Sequence, residues 1–260
     1  MLSIVIPTLQ KNKEILYNLI DSLDTDKSVG EILIIDNSLK GIDYISQKVR
    51  VITPSENLYV NPSWNLGVKE AKYDIVALFN DDISVSEDFC TNVISKMIPN
   101  MGIVGFNSGD YMEVCDKFSE QPQKSIIELE PIKYMDKYFG VAMFFFKSAY
   151  APIPNDMKIV YGDNWLIYNC QNNKRICYRI NGQKILHIGS LSSSNPKLKP
   201  ICKNDSKIYK KLTMTFKKRM MSFENCWDCY KLRLFGLTFK IRKHKEKGVN
   251  HDKTGNFCTL

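Results

Sequence analysis

The first third of the chain alternates short apolar runs with amphipathic segments, and this alternation restricts the possible fold more than any other feature of the sequence. The apolar runs are about four to six residues long, the length of buried strands, whereas residues 12–24 place apolar side chains at helical spacing. Strands that alternate with helices predict an α/β fold with a mostly parallel sheet covered by helices on both faces. The predicted strands are residues 2–7, 31–36, 49–52, 74–79, 102–106 and 138–146.

Polar residues follow several of these predicted strands at their carboxyl ends. Thr8 follows the first strand, Asp36 ends the second, and Asp81 and Asp82 come directly after residues 74–79. Ligands of parallel sheets bind beyond the carboxyl ends of the strands. The sequence therefore predicts that these side chains converge on one binding site.

Asp81 and Asp82 are the sharpest local signal in the chain. Two adjacent carboxylates at the end of a buried strand can hold Mg²⁺ or Mn²⁺, which prefer oxygen ligands and often bridge carboxylates to substrate phosphates. The alternative is a solvated turn before a helix that Ser86 caps. The pair taken alone does not decide between the two interpretations.

The chain resembles family 2 glycosyltransferases of the GT-A fold in the segments SIVIPT (3–8), IIDNS (34–38) and WNLGVKEAKYDIVALFNDDI (64–83), the last ending in a DxD-type motif. The resemblance is close over residues 2–85 and looser to about residue 190. It implies a GT-A domain over residues 1–190. It also implies transfer of a sugar from a nucleotide-diphosphate sugar, with a UDP-sugar as the expected donor, to an acceptor hydroxyl group.

The resemblance also assigns roles to individual residues of the donor site. Pro7 and Thr8 would line the pocket for the nucleotide base, and Asp36 would bind the base or the ribose. Asn65 would help to shape the donor site. Asp82, together with Asp81, would hold Mn²⁺ or Mg²⁺ and the donor diphosphate.

Two further candidates lie later in the chain. Asp163, in YGDNWL (161–166), resembles the aspartate of the family's E-D-x-x-L element, which is the general base of inverting enzymes. A carboxylate in hydrogen-bond reach of an acceptor hydroxyl group can remove its proton, but an N-cap is the alternative role. His187 lies where some relatives have a metal-binding or phosphate-binding histidine, and a purely structural histidine is the alternative.

The chain departs from the family pattern at four places. Asn37 stands where the family often has glycine, Trp64 where it often has arginine, and Gly162 where it has glutamate. The strand-end triplet is Asn80-Asp81-Asp82 instead of Asp-x-Asp. These departures leave the nucleotide and the sugar more open than the class of reaction.

The C-terminal part of the chain is strongly basic. Residues 197–247 contain 16 Lys and Arg against 4 Asp and Glu, whereas residues 1–196 contain 19 against 23. We expect residues 191–260 to form a basic amphipathic helical tail that binds an anionic membrane surface. A short β-hairpin that turns at Gly236 is the alternative, and nucleic acid is not the expected partner because the tail has no recognised nucleic-acid motif.

Two absences complete the prediction. We find no apolar segment of membrane-spanning length and no signal peptide, so we expect a cytoplasmic protein that is peripheral on the inner face of a membrane. A lipid-linked glycan or a growing surface polysaccharide is the expected acceptor. The rival functions are a nucleotidyltransferase, although residues 8–14 lack its glycine-rich loop, and a non-catalytic module that binds sugar nucleotides, membranes or nucleic acid.

Overall fold

The computed structural model describes residues 1–106, 112–115, 126–132, 139–183, 185–188, 196–214, 221–225, 229–234 and 237–242. They belong to two compact units, Met1–Lys210 and Lys211–Leu260. The helices are α1 (Lys13–Thr25), α2 (Val60–Glu70), α3 (Phe89–Ile94), α4 (Gly162–Asn172) and α5 (Lys199–Thr213). The strands are β1 (Leu2–Thr8), β2 (Val29–Asp36), β3 (Val49–Ile52), β4 (Ile75–Phe79), β5 (Ile83–Ser84), β6 (Met101–Gly105), β7 (Met112–Cys115), β8 (Glu128–Pro131), β9 (Ala142–Phe146), β10 (Ile176–Asn181), β11 (Ile185–Ile188), β12 (Met221–Asn225), β13 (Cys229–Leu234) and β14 (Leu237–Arg242).

The predicted apolar runs form neighbouring strands of an eight-stranded sheet in the order β3-β2-β1-β4-β9-β6-β10-β8. The first four strands of this order are parallel to one another, and β10 is parallel to β6. Strand β9 runs antiparallel between β4 and β6. The α/β fold with a mostly parallel sheet is therefore confirmed.

Helices cover both faces of this sheet. Side chains of α1 and α3 pack against one face in the same apolar cluster as Ile4, Ile32 and Ala77. Side chains of α2 and α4 pack against the other face with Val5 and Leu33. Because successive strand residues point to opposite faces, a strand that is covered twice must be apolar at nearly every position. This requirement explains the uninterrupted apolar runs of the sequence.

A smaller sheet lies at the end of β4 and carries part of the site. Strand β11 pairs antiparallel with β5, which places His187 opposite Ile83, and it pairs parallel with β7. Strand β5 begins one residue after Asp82. The short sheet therefore brings His187, more than 100 residues away in sequence, next to the Asp81-Asp82 pair.

The helix near Ser86 begins later than the sequence predicts. The residue that precedes α3 is Asp88, which has a left-handed backbone with φ of 59°. The hydroxyl group of Ser86 accepts a hydrogen bond from the buried Gln183 side chain. The prediction that Ser86 caps this helix is wrong, because α3 begins only at Phe89 and Asp88 stands at its N-cap.

Among the described residues of the C-terminal part, α-helix is confined to Lys199–Thr213. Helix α5 is followed, in the second compact unit, by an antiparallel sheet in the order β12-β13-β14. Strands β13 and β14 pair antiparallel from Leu234 opposite Leu237, which agrees with the alternative of a β-hairpin. Its predicted turn at Gly236 lies outside the described residues. The prediction of a helical tail is wrong for β12, β13 and β14. In β14, apolar and polar residues alternate with the period of a strand. The expected tail also includes residues 191–195, 215–220, 226–228, 235–236 and 243–260, which lie outside the described residues.

Within the described parts of the chain, no helix combines the length and the apolar character needed to cross a membrane.

Candidate functional site

Thr8 and Asp81 meet where β1 and β4 end side by side. The parallel register pairs Leu2 with Ile75 and Val5 with Leu78, so the residues after both strands emerge at the same edge of the sheet. The Thr8 hydroxyl group donates a hydrogen bond to Asp81 Oδ2 at 2.5 Å. The predicted convergence of strand-end side chains is therefore present for this pair.

The carboxyl group of Asp81 is held in an unusual electrostatic setting. Its pKa is raised to about 6, chiefly by burial and also by the adjacent Asp82 carboxylate, whereas the hydrogen bond from Thr8 acts in the opposite direction. Two neighbouring carboxylates that are partly removed from water repel each other. A cation placed between them and an anionic ligand would relieve this repulsion.

Asp82 and His187 form the second half of the polar cluster. His187 is buried, and its Nε2 lies 3.2 Å from Asp82 Oδ1. Despite this contact, Asp82 Oδ1 makes no hydrogen bond with the described residues, and neither does His187 Nδ1. Buried polar atoms without hydrogen bonds are costly, so the carboxylate and the imidazole are both available to a ligand.

The Asp82–His187 pair fits a divalent cation that takes its other ligands from elsewhere. Two ligands in adjacent positions of an octahedral site, each about 2.1 Å from the ion, are about 3.0 Å apart, close to the observed separation. The described residues contain no group of three or more His, Cys, Asp or Glu side chains arranged to hold a metal ion. Mg²⁺ in such a site keeps water molecules and binds substrate phosphates, so a contribution of two protein side chains is sufficient.

Asp163 lies in the first turn of α4, at the same edge of the sheet. Its carboxylate accepts hydrogen bonds from the backbone of Asn164 at 2.8 Å and of Phe139 and Gly140. The short segment that contains Gly140 is linked by a hydrogen bond to the residue after β4, because Asn80 N donates to Val141 O at 3.0 Å. The structure thereby brings Asp163 to the edge that carries Asp81 and Asp82.

Burial raises the pKa of Asp163, and the backbone hydrogen bonds from Asn164, Phe139 and Gly140 oppose this effect. The N-cap of α4 is Tyr161, which has a left-handed backbone with φ of 66°, and not Asp163. The alternative role of Asp163 as an N-cap is therefore wrong. A desolvated carboxylate whose pKa is raised is a stronger base than an exposed one.

A cavity of about 140 Å³ opens beside the polar cluster. Its walls combine apolar side chains with three asparagine side chains and one cation. This mixture suits a ligand with a flat apolar part, hydroxyl groups and an anionic end. The residues that line it are Pro7, Thr8, Leu9, Lys11, Asn12, Ile15, Asn37, Asn57, Tyr59, Val60, Asp81, Asp82, Ile159 and Leu198.

Asp36 does not line this cavity. It is fully buried, and its carboxylate accepts hydrogen bonds from the Gln10 side chain, from the backbone and hydroxyl group of Ser38, and from Gly41 N. Burial alone would raise the pKa of Asp36, but these hydrogen bonds together hold it below its ordinary value. Asp36 thus orders the loop after β2, and its predicted contact with the nucleotide stays a prediction.

Asn65 also lies outside the lining of the cavity. Its side chain accepts hydrogen bonds from the Tyr150 hydroxyl group and Ile153 N, and it donates one to Ile153 O. The contacts tie α2 to the segment after β9. A role of Asn65 in shaping the donor site would have to act through this segment, and it stays a prediction.

Several residues of the cavity were not identified from the sequence. Tyr59 and Ile159 belong to segments about 100 residues apart that meet because Asn61 N donates to Lys158 O at 3.0 Å. Leu198 comes from the turn that precedes α5. No local pattern marks these residues, since their proximity depends on long-range packing. The others are Leu9, Lys11, Asn12, Ile15, Asn57 and Val60.

The sequence of the chain matches the model of a known protein family. The family model described as "Glycosyl transferase family 2" matches residues 3–167. No curated protein sequence matches the chain.

Solved structures share the fold. GalNAc-T7, crystallised with UDP, GalNAc and Mn²⁺, has a TM-score of 0.61 and 13% identity, over 82% of this chain and 48% of that one. S. aureus TarS 1-349 has a TM-score of 0.51 in its complex with UDP, with 10% identity over 84% of this chain and 76% of that one. The complex of TarS 1-349 with UDP-GlcNAc also has a TM-score of 0.51, with 12% identity over 75% of this chain and 61% of that one. The chain spans about half the length of GalNAc-T7, and at these identities the likeness shows the fold, an α/β fold of the GT-A type.

Proposed function

Because the chain belongs to glycosyl transferase family 2, we propose that it transfers a sugar from a nucleotide-diphosphate sugar to an acceptor hydroxyl group. The observation that carries this proposal is the polar cluster at the end of β4. Thr8, Asp81, Asp82 and His187 meet beside a cavity with apolar walls and amide groups. Such a site can hold a nucleotide in the cavity and its diphosphate next to the carboxylates through a cation.

We propose UDP as the nucleotide of the donor. The cavity has the apolar walls and the hydrogen-bonding amides that a pyrimidine ring and a ribose need. GalNAc-T7 and TarS, which share the fold, were crystallised with UDP or UDP-GlcNAc. Pro7 and Thr8 would contact the nucleotide from the end of β1, and Lys11 would offer a positive charge to the anionic part of the donor.

Asp82 and His187, with Asp81, would hold Mn²⁺ or Mg²⁺ in this proposal. The bound ion would neutralise the negative charge that develops on the departing diphosphate. The three side chains fix where the diphosphate lies, and Thr8 fixes Asp81 by its hydrogen bond. Burial of His187 keeps bulk water away from this side of the site.

Asp163 is the proposed general base of an inverting displacement. The acceptor oxygen forms a bond to the anomeric carbon while the bond from that carbon to the diphosphate oxygen breaks, and the diphosphate leaves with the electron pair. The proton of the acceptor hydroxyl group passes to the Asp163 carboxylate. The backbone hydrogen bonds from Phe139, Gly140 and Asn164 hold this carboxylate in place.

The proposed acceptor is a lipid-linked glycan or a growing surface polysaccharide, presented at the inner face of a membrane. Strand β14 supports this proposal because Leu237, Phe239 and Ile241 alternate along it and are 65%, 49% and 59% exposed. Lys240 lies between two of them in sequence, on the opposite face of the strand, and is also exposed. Exposed apolar side chains close to cations are typical of surfaces that bind anionic lipid.

A thermal-shift experiment tests the donor site. We expect UDP with Mn²⁺ to raise the melting temperature of the wild-type protein, because a ligand that binds only the folded state stabilises it. Asp82→Ala should lose this shift. Asp74→Ala is the matched control, since Asp74 is exposed and precedes β4 at the opposite edge of the sheet. A wild-type protein that no nucleotide diphosphate stabilises, with or without Mn²⁺, would contradict the proposed function.

A further inference from the structure

Helix α5 carries a fully buried carboxylate that the proposed mechanism does not use. Asp205 Oδ1 accepts a hydrogen bond from Lys158 N at 3.0 Å. Asp205 Oδ2 accepts hydrogen bonds from Ile159 N at 2.8 Å and from Val160 N at 3.0 Å. A buried charge is tolerated only where hydrogen bonds compensate its lost hydration, and here three successive backbone amides supply them.

The segment that Asp205 binds is also held from the opposite side. Asn61, at the start of α2, donates from its backbone to Lys158 O at 3.0 Å and from its side chain to Val160 O at 3.2 Å. Residue Tyr161 is stacked on Tyr209 of α5, with the ring centroids 4.9 Å apart and the planes at 16°. Residues 158–161 are therefore clamped between α2 and α5.

This clamped segment connects two parts of the candidate site. Ile159 lines the cavity, as does Leu198 from the turn before α5. Two residues after Tyr161, the chain reaches Asp163 in the first turn of α4. A shift of residues 158–161 would change the wall of the cavity and the position of Asp163 together.

We propose that Asp205 is a positioning residue for the donor cavity: its carboxylate fixes residues 158–160 so that Ile159 closes the wall and α4 begins in the correct place. Helix α5 is then part of the donor-binding apparatus, although it follows the segment that the family model matches. The inference rests on the proposed function, because it assigns the cavity to the nucleotide.

The test compares UDP affinity with thermal stability in the full chain. Asp205→Asn keeps the shape of the side chain, but its amide nitrogen cannot accept hydrogen bonds, so at least one backbone amide loses its partner. The dissociation constant for UDP is measured by calorimetry with Mn²⁺, well below the melting temperature. We expect Asp205→Asn to bind UDP about tenfold more weakly, a change of about 1.4 kcal/mol.

Two control variants separate this effect from a general loss of charge or of surface contacts. Asn204→Ala changes the exposed neighbour of Asp205 on α5, and Asp156→Asn removes an exposed charge just before the clamped segment. Both should bind UDP as the wild type does. If Asp205→Asn is not obtained folded, Tyr209→Leu removes the stacked ring from Tyr161 and should also weaken UDP binding.

The outcomes distinguish the inference from the proposed function. If Asp205→Asn has a lower melting temperature but unchanged UDP affinity, Asp205 has a purely structural role, and the inference is overturned while the proposed function stands. Unchanged UDP affinity in Tyr209→Leu has the same consequence if Asp205→Asn is not obtained folded. A wild-type protein that binds no nucleotide diphosphate overturns the proposed function and this inference with it. Weaker UDP binding in Asp205→Asn, with both controls intact, supports it.

Discussion

Gly162 offers the sharpest test of the packing around the proposed base. A Cβ atom at this position would lie 2.2 Å from Asn61 Oδ1 and 2.8 Å from Trp64 Cζ3. Asn61 is fully buried and held by its hydrogen bonds to Lys158 O and Val160 O, so it cannot move aside freely. We therefore expect Gly162→Ala to destabilise the protein although alanine is the better helix former.

The magnitude follows from two opposing effects. Replacing glycine by alanine inside a helix gains at most about 1 kcal/mol, and less at the first helical position. Forcing a methyl group into a filled core costs about 1–3 kcal/mol, and the 2.2 Å approach places this case at the upper end. The net loss is about 2 kcal/mol, which for a domain of this size lowers the melting temperature by about 4–8 °C.

Gly140→Ala is the matched control for this prediction. Gly140 also lies beside Asp163 and Trp64, but a Cβ atom there would be 3.4 Å from Trp64 and 3.7 Å from Asp163, which is ordinary contact or close to it. Thermal unfolding followed by circular dichroism measures both variants. The reasoning is refuted if Gly162→Ala melts at or above the wild-type temperature, or if Gly140→Ala costs as much. In the Asn61→Ala background, Gly162→Ala should cost less, because its main obstacle is gone.

Three further predictions follow from the geometry. Burial alone would raise the pKa of Glu31, but hydrogen bonds from Lys72 N, the Ser3 hydroxyl group and Arg50 hold it below its ordinary value of 4.5, so ionised Glu31 stabilises the fold above that pH. In urea unfolding, Glu31→Gln should be clearly less stable than the wild type at pH 7, and the difference in stability should shrink as the pH falls below 4.5. A difference that does not depend on pH would contradict this prediction. Asp163→Asn should keep UDP binding and lower the rate of sugar transfer by about 10²–10⁴-fold, and a rate near that of the wild type would exclude Asp163 as the base. Replacing Leu237, Phe239 and Ile241 by serine should reduce co-sedimentation with vesicles that contain anionic lipid but leave UDP binding intact. Undiminished vesicle binding would exclude β14 as the membrane contact. Salt-sensitive RNA binding without vesicle binding would favour nucleic acid as the partner.

Two of the four departures from the family pattern, Gly162 and Trp64, have a physical explanation in the fold. Trp64 and Asn61 occupy the space where a side chain at position 162 would lie. A glutamate at 162 would collide with Asn61, so the glycine there and the tryptophan at 64 go together. Each departure looks isolated in the sequence, because the two residues are almost 100 positions apart.

Local periodicity was sufficient to predict the first strands, helix α1, and the edge where the site lies. A doubly covered sheet requires continuous apolar strands, and their polar ends mark the carboxyl edge. For this reason Thr8, Asp81 and Asp82 could be identified before any contact was known. The antiparallel direction of β9 could not, since a short apolar run does not encode the direction in which it enters a sheet.

The sequence by itself therefore determined the class of fold, the family and the carboxylates at the end of β4. The tertiary structure alone decided that His187 lies against Asp82, that the side chains of Asp36 and Asn65 form hydrogen bonds within the protein, and that Leu237–Arg242 of the tail forms a strand. It also decided that Asp205 clamps the wall of the cavity. Patterns of a few residues reflect local backbone geometry and burial, whereas these contacts join segments far apart in the chain and depend on how the whole core packs.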